Sequence, residues 1–277
     1  MEKPYVISQE LDLPGVSREQ VNLNEIDNFR ADLDAELTAM GRNTYWVNSD
    51  VISKDINKIL NYTKLPVVSL DSRYVQSADQ YLGISRGVDQ ALNDVGYVPR
   101  ANYPPVQDQL DSISKLGREI VLVDDVVYSG EMMEWLAAEL AKRDVKVGAV
   151  VCGIAMYDGL AKLIENDIDV YGGTLFEAVE DEICERDFAI VTGSGRRIDS
   201  LNANALYFDP LYGKPQQWAS IPAEATDEFY INSLLRSAKL LRDDVQMESI
   251  GKFVGYSGQG NAKQRIAERL KLSEAQL

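Results

Sequence analysis

Histidine is absent from the 277 residues. That removes the commonest general base, nucleophile partner and transition-metal ligand. Serine-hydrolase triads, His-ligated zinc hydrolases and phosphohistidine relays are excluded with it, so acid–base work falls to Asp, Glu, Tyr, Lys or a substrate itself. Cysteine is almost absent. Cys152 and Cys184 are too few and wrongly spaced for a metal knuckle, and they fit a reducing compartment. Cys152 lies in an apolar run and reads as a core residue. No stretch approaches the roughly 20 apolar residues of a membrane span, and Met1–Ser8 has no signal-peptide apolar segment. The expected location is cytoplasmic, with no membrane partner. Basic residues are scarce: 28 Lys and Arg against 44 Asp and Glu give a net charge of -16. With no long basic cluster to offset that charge, no nucleic-acid partner is expected. Internal repeats and low-complexity segments are also lacking.

What is present is ordinary for a soluble globular chain, 45% hydrophobic and 26% charged residues. The length suits a large domain or a core with an elaborated cap. Residues 1–23, with Pro4, Pro14 and Gly15, read as an extended lead-in. Ile26, Phe29, Leu33 and Leu37 form a helical stripe over 24–40, and a second helix is expected over 53–62 with Ile56 and Leu60 inward. Strands are expected at 66–70 and 145–155, a helix at 158–166 and a strand start at 167–171. Residues 96–112, with Pro99, Pro104 and Pro105, read as a loop. Thr192–Arg197 reads as a turn, although its arginine pair could receive a base, phosphate or carboxylate. The aromatics of 207–218 read as core with base stacking as the alternative. Helices are expected over 227–242 and 261–270. Strands alternating with helices give an α/β class: a parallel-sheet core flanked by helices, with N- and C-terminal additions forming a cap or hood. The expected division is a helical extension at 1–62, the α/β core at 63–195 and a mostly helical extension at 196–277.

The most informative stretch is Glu119-Ile-Val-Leu-Val-Asp-Asp-Val-Val-Tyr-Ser-Gly130. Ile120–Val123 reads as a buried strand ending in Asp124 and Asp125. Ser129-Gly130 then turns the chain into a helix with an apolar stripe at Met132, Met133, Leu136 and Leu140. A helix start presents unpaired N–H groups and the positive end of its dipole, which suits a phosphate. Paired carboxylates beside it suit sugar hydroxyls or a hydrated divalent cation. In open parallel sheets such ligands lie at the carboxyl ends of the strands.

This run resembles the phosphoribosyl-pyrophosphate signature of type I phosphoribosyltransferases: four apolar residues, two acids, two apolar residues, a variable residue, Ser or Thr, then Gly. The resemblance covers about a dozen residues and implies a pentosyltransferase of nucleotide metabolism, a glycosyltransferase moving a 5-phosphoribosyl group from phosphoribosyl pyrophosphate to a nitrogenous base, with Mg²⁺ as cofactor. It implies catalytic and metal-holding roles for Asp124 and Asp125, directly or through water or ribose hydroxyls. It also implies a phosphoribosyl seat at Tyr128, Ser129, Gly130 and Glu131. Pyrophosphate would be held by Ser85, Arg86 and Gly87, or in a competing placement by Asp71, Ser72 and Arg73. The family's lid falls near residues 96–112, with Arg100 over the pyrophosphate. A homodimer is compatible with all of this. Three residues depart from the pattern. Tyr128 is a poor general base at neutral pH, Glu131 is acidic where a phosphate would sit, and Met132 replaces an expected hydroxyl. These departures keep a second reading open, a non-catalytic nucleotide sensor or scaffold that retains the fold.

Overall fold

A computed structural model describes residues 3–13, 19–75, 77–256 and 258–271. In chain order its principal elements are β1 (Tyr5–Ser8), α1 (Ile26–Ala39), β2 (Thr44–Val47), α2 (Ser49–Leu60), β3 (Val67–Ser69), β4 (Gln80–Tyr81), β5 (Ile84–Val88), β6 (Asp94–Pro99), α3 (Val106–Ile113) and β7 (Glu119–Val127). There follow α4 (Glu131–Ala141), β8 (Lys146–Met156), α5 (Tyr157–Glu165), β9 (Asp169–Phe176), β10 (Asp181–Cys184), β11 (Arg196–Ile198), β12 (Ala203–Ala205), α6 (Pro215–Trp218), α7 (Thr226–Leu240), α8 (Met247–Ile250) and α9 (Ala262–Leu270). None of these helices is long and apolar enough to cross a membrane among the described residues.

The chain forms two compact units: Val47–Ser85 with Tyr97–Val179, and Met1–Trp46 with Arg86–Gly96 and Glu180–Leu277. These borders differ from the expected 1–62, 63–195 and 196–277. Composition marks stretches in chain order, whereas each unit gathers segments far apart in sequence.

The first unit is built on a five-stranded sheet in the order β4-β3-β7-β8-β9, parallel at every pairing. Its strands are β-branched and apolar because both faces are covered. On one face Ile120, Leu122, Val147 and Val150 pack with Leu110 and Ile113 of α3, Met133, Leu136 and Leu140 of α4, and Leu163 of α5. On the other face α2 lies so close to β8 that a Cβ at Gly153 would sit 2.2 Å from the Ile52 side chain. The expected helix at 53–62 thus starts earlier. Asn48 caps it by accepting the Asp50 amide at 2.8 Å, so Ile52 as well as Ile56 turns inward.

One expectation fails here. The 96–112 loop contains α3, because Val106, Leu110 and Ile113 repeat at helical spacing once Pro105 has opened the first turn. The paired prolines mark a helix start. Upstream of it, Leu82-Gly83 separates β4 from β5. Gln109, buried in α3, fixes this break by accepting the Gly83 amide at 2.8 Å and donating to the Gly83 and Pro104 carbonyls.

The second unit carries a three-stranded sheet, β10-β1-β2, in which β1 and β10 run parallel. The expected lead-in therefore includes a buried strand; Tyr5, Val6 and Ile7 are fully covered, and three apolar residues beside Pro4 were too short a run to show it. Pro14 and Gly15 lie outside the described residues. Glu185 organises this unit. Its buried carboxylate accepts the Glu10 and Leu11 amides at 2.6 and 2.7 Å and takes a two-pronged bond from Arg30 of α1. Helix α1 buries Ile26, Phe29, Leu33 and Leu37, the stripe read from sequence.

The approach of α2 to β8 gives a direct test. Gly153→Ala is expected to cost about 1–3 kcal/mol by overpacking, measured by urea unfolding. Combining it with Ile52→Ala should cost less than the sum of the single changes, because the smaller side chain vacates the space the new methyl needs.

Candidate functional site at the carboxyl edge of the parallel sheet

Strand β7 does not end at the acidic pair. It remains paired with β8 at Asp124–Cys152, Val126–Ile154 and Val127–Ala155, so both aspartates are strand residues. Ile120–Val123 is buried as expected, while Asp124 and Asp125 are half-buried where the helical cover thins. Asp124 accepts the Asp125 amide at 3.1 Å and Asp125 accepts the Val126 amide at 2.9 Å.

Two other segments bring charge to this edge. At the end of β3, Ser69 donates through Oγ to the Asp71 carbonyl at 2.6 Å, and Asp71 is buried. Arg73 folds back on Asp71, its amide 2.6 Å from Oδ1 and its guanidinium 3.0 Å from Oδ2. At the end of β6, Arg100 is fixed by its amide to the Gly83 carbonyl at 2.9 Å and by Nε to the Ile84 carbonyl at 2.8 Å. Tyr103, one turn further, lies over Gly83 where any Cβ would meet its ring.

The electrostatics follow from this crowding. Burial pushes the Asp124 carboxyl up to about 6. A hydrogen bond with the Asp125 carboxyl and the charge of Arg100 pull it down, while Asp71 pushes it further up. The charge of Arg100, chosen from a separate part of the sequence, therefore reaches Asp124. Cys152, beside Asp124 on β8, is pushed up to about 12 by burial and then by that carboxylate, which makes it an inert core thiol.

The turn into α4 is fixed by a glycine that sequence reasoning passed over. Gly130 adopts a left-handed φ of 73°, and Gly159 of α5 backs onto it so closely that a Cβ there would lie 2.3 Å from the Tyr128 carbonyl oxygen. Only a contact across two helices could have revealed Gly159. Ser129 Oγ lies 3.5 Å from the Glu131 amide. Glu131 is exposed, and its charge acts on Lys162, which also pairs with Glu134 at 2.8 Å. Met132 is half-buried against the core. Tyr128 is exposed.

Ser85, Arg86 and Gly87 are not a strand-end loop. They lie within β5, and Gly87 pairs with Arg197 of β11. Amides in a ladder are committed to neighbouring strands and cannot wrap a phosphate as a free loop does. Arg86 is exposed, and its charge acts on Asp181 and Tyr207. The competing Asp71-Ser72-Arg73 segment is the one at the carboxyl end of β3, next to β7. Thr192–Arg197 contains left-handed Gly193 and Gly195, as a turn requires, and then enters β11. Its Arg196 stacks 4.7 Å from the Trp218 ring and 5.5 Å from Tyr207, so these aromatics serve packing.

A divalent cation can be tested against these residues. The donor set is oxygen only, with two adjacent carboxylates on a strand and Asp71 near enough to raise Asp124. Carboxylate oxygens are the donors a hard cation such as Mg²⁺ takes, although Asp71, Asp124 and Asp125 do not close into a three-ligand cluster among the described residues.

No protein-family model matches the chain, and no curated protein does. Among solved structures, similarity extends to a hypothetical protein from Neisseria gonorrhoeae with bound ppGpp, at 19% identity over 49% of this chain and 82% of that one, TM-score 0.33. TT1426 from Thermus thermophilus matches at 11% identity over 47% and 82%, TM-score 0.28. Orotate phosphoribosyltransferase from Aeropyrum pernix matches at 13% identity over 55% and 74%, TM-score 0.25. What the site can bind follows from its own side chains.

Two outcomes are expected. The folded Asp124 carboxyl sits above its ordinary 3.8, so between about 4 and 6 the native state keeps a proton the unfolded chain has lost, and stability falls as pH rises through that window. Asp124→Asn should therefore raise Tm relative to the wild type at pH 8 and lose that advantage near pH 3.5 to 4. In the second, Gly159→Ala should destabilise the chain and shift backbone NMR signals of Tyr128–Gly130, because a methyl there meets backbone rather than a flexible side chain.

Proposed function

We propose that the carboxyl edge of the parallel sheet binds 5-phosphoribosyl 1-pyrophosphate with Mg²⁺ and that the chain transfers the 5-phosphoribosyl group to a nitrogenous base. One observation carries this reading: Asp124, hydrogen-bonded to Asp125 and within reach of the charge of Arg100, stands at the end of the strand that leads into the Ser129-Gly130 turn opening α4. Carboxylates for ribose hydroxyls, a cation for pyrophosphate and a helix start for a phosphate meet within one strand end and its neighbours.

In this reading the amides opening α4, with Ser129 and Gly130, hold the 5-phosphate. Glu131 can coexist with it because its side chain is exposed and its charge is offset by Lys162. Asp124 and Asp125 hold the ribose hydroxyls and would bind Mg²⁺, which when present neutralises charge on the leaving pyrophosphate. Arg100, anchored through two backbone carbonyls, keeps the pyrophosphate role expected of it, here without Arg86. The bond from C1 to pyrophosphate breaks and its electron pair leaves with pyrophosphate. A bond from C1 to a ring nitrogen of the base forms, and a nitrogen-bound proton is released. Positive charge develops at the sugar ring in between, where ionised Asp124 and Asp125 stabilise it. An Asp124 carboxyl near 6 is ionised at neutral pH, and bound cation would hold it so at lower pH.

The sensor reading has its own support: Met132 belongs to the core and Tyr128 supplies no strong base, so a bound nucleotide could be held without turnover. Calorimetric titration with the donor and Mg²⁺ separates the cases. Heat that disappears in Asp124→Asn/Asp125→Asn, together with pyrophosphate release for at least one base in a panel, is the expected result. Arg100→Ala should weaken donor binding by about 10- to 100-fold, the scale of one charge-assisted contact. Binding without release across the panel would leave the sensor, and absence of heat would remove both.

A further inference from the structure

The two edges of the five-stranded sheet are unlike each other. One is β4, only two residues long, and a short edge strand gives another chain little to pair with. The other is β9, eight residues long and paired on one side alone among the described residues. It keeps one unbroken register against β8 from Asp169 to Phe176, with no bulge to twist its outer side away. Val170–Phe176 contains no charged residue and no proline, so the usual devices that blunt an open edge are missing. No residue of β9 is fully buried, and Tyr171 and Leu175 are 50% and 57% exposed. Beside the strand, α5 leaves Tyr157 and Ile164 exposed to a similar degree.

From these features we propose that β9 is an interface, pairing antiparallel with β9 of a second copy of this chain to make one continuous sheet. Three arguments select a second copy. Beyond Asp169 at its start, the strand is an uncharged run that can pair with itself about a two-fold axis, as a closed dimer requires. Each copy carries a net charge of -16, and the run Val170–Phe176 places no charged side chain of one copy opposite another within it. Finally, covering four half-exposed large side chains at ~100 Å² each, plus the strand edge, would bury on the order of 1,000 Å² over both copies, the threshold of a specific interface. The proposal is independent of what the carboxyl edge binds.

The test uses the full chain. Sedimentation across a concentration series should show a dimer, and hydrogen exchange of the 169–176 amides should slow as concentration rises. Tyr171→Lys/Leu175→Lys places charge at two exposed positions outside the candidate site. It should weaken association at least tenfold with an unchanged circular dichroism spectrum. A wild-type chain that is monomeric at every concentration would overturn the proposal, as would a dimer whose mass and 169–176 exchange are indifferent to the two lysines.

Discussion

The parallel pairing of β7 with β8 is the constraint on which the candidate site depends. Because the ladder runs past the acidic pair to Val127, Asp124 and Asp125 are held by strand geometry and cannot swing as loop residues would. The same ladder brings α5 directly after Met156, so Gly159 can support the turn that α4 begins from. Carboxylates, turn and helix start are thereby fixed to one another through backbone hydrogen bonds. Preorganisation of this kind is what a site acting on developing charge requires.

An acidic chain has to place its few cations with care. Here they are fixed by backbone and carboxylate partners: Arg100 on two carbonyls, Arg73 on Asp71, Lys162 on Glu134. Arg30 serves the buried Glu185 in the same way. The covered pairs, Arg73 with Asp71 and Arg30 with Glu185, are worth more than the exposed ones at Lys142, Lys162 or Arg265. Burial without a full counter-charge is what leaves Asp124 high, and a bound cation would relieve it.

Much of the α/β layer was legible in the sequence, and the reasons are local. The β-branched run at 145–155 became β8, and Ile26, Phe29, Leu33 and Leu37 became the buried stripe of α1. Asp124, Asp125, Ser129 and Gly130 were found because their order is unusual and contiguous. What failed depended on partners distant in sequence. Strand β1 is three apolar residues whose identity as a strand comes from Asp181–Cys184. Ser85-Arg86-Gly87 has the residue types of a phosphate loop, and only its pairing with Arg197 makes it a strand. Helix α3 was hidden by prolines that break a helix when internal and start one when they precede it. Gly159 carried no signal, since its role is to leave room for the Tyr128 carbonyl, far earlier in the chain.

The interleaving of the two compact units bears on how the molecule could be taken apart. Since the chain passes from one to the other after Trp46, Ser85, Gly96 and Val179, neither unit is a contiguous stretch, and no single truncation isolates either. The β5–β6 hairpin has its base in one unit and its tip in the other. To release the parallel-sheet unit, the hairpin tip would have to be replaced by a short bridge from Ser85 to Tyr97, with both termini trimmed to Val47 and Val179. Segmental exchange between relatives of such a chain would therefore succeed as loop-for-loop replacement and fail as end-to-end fusion.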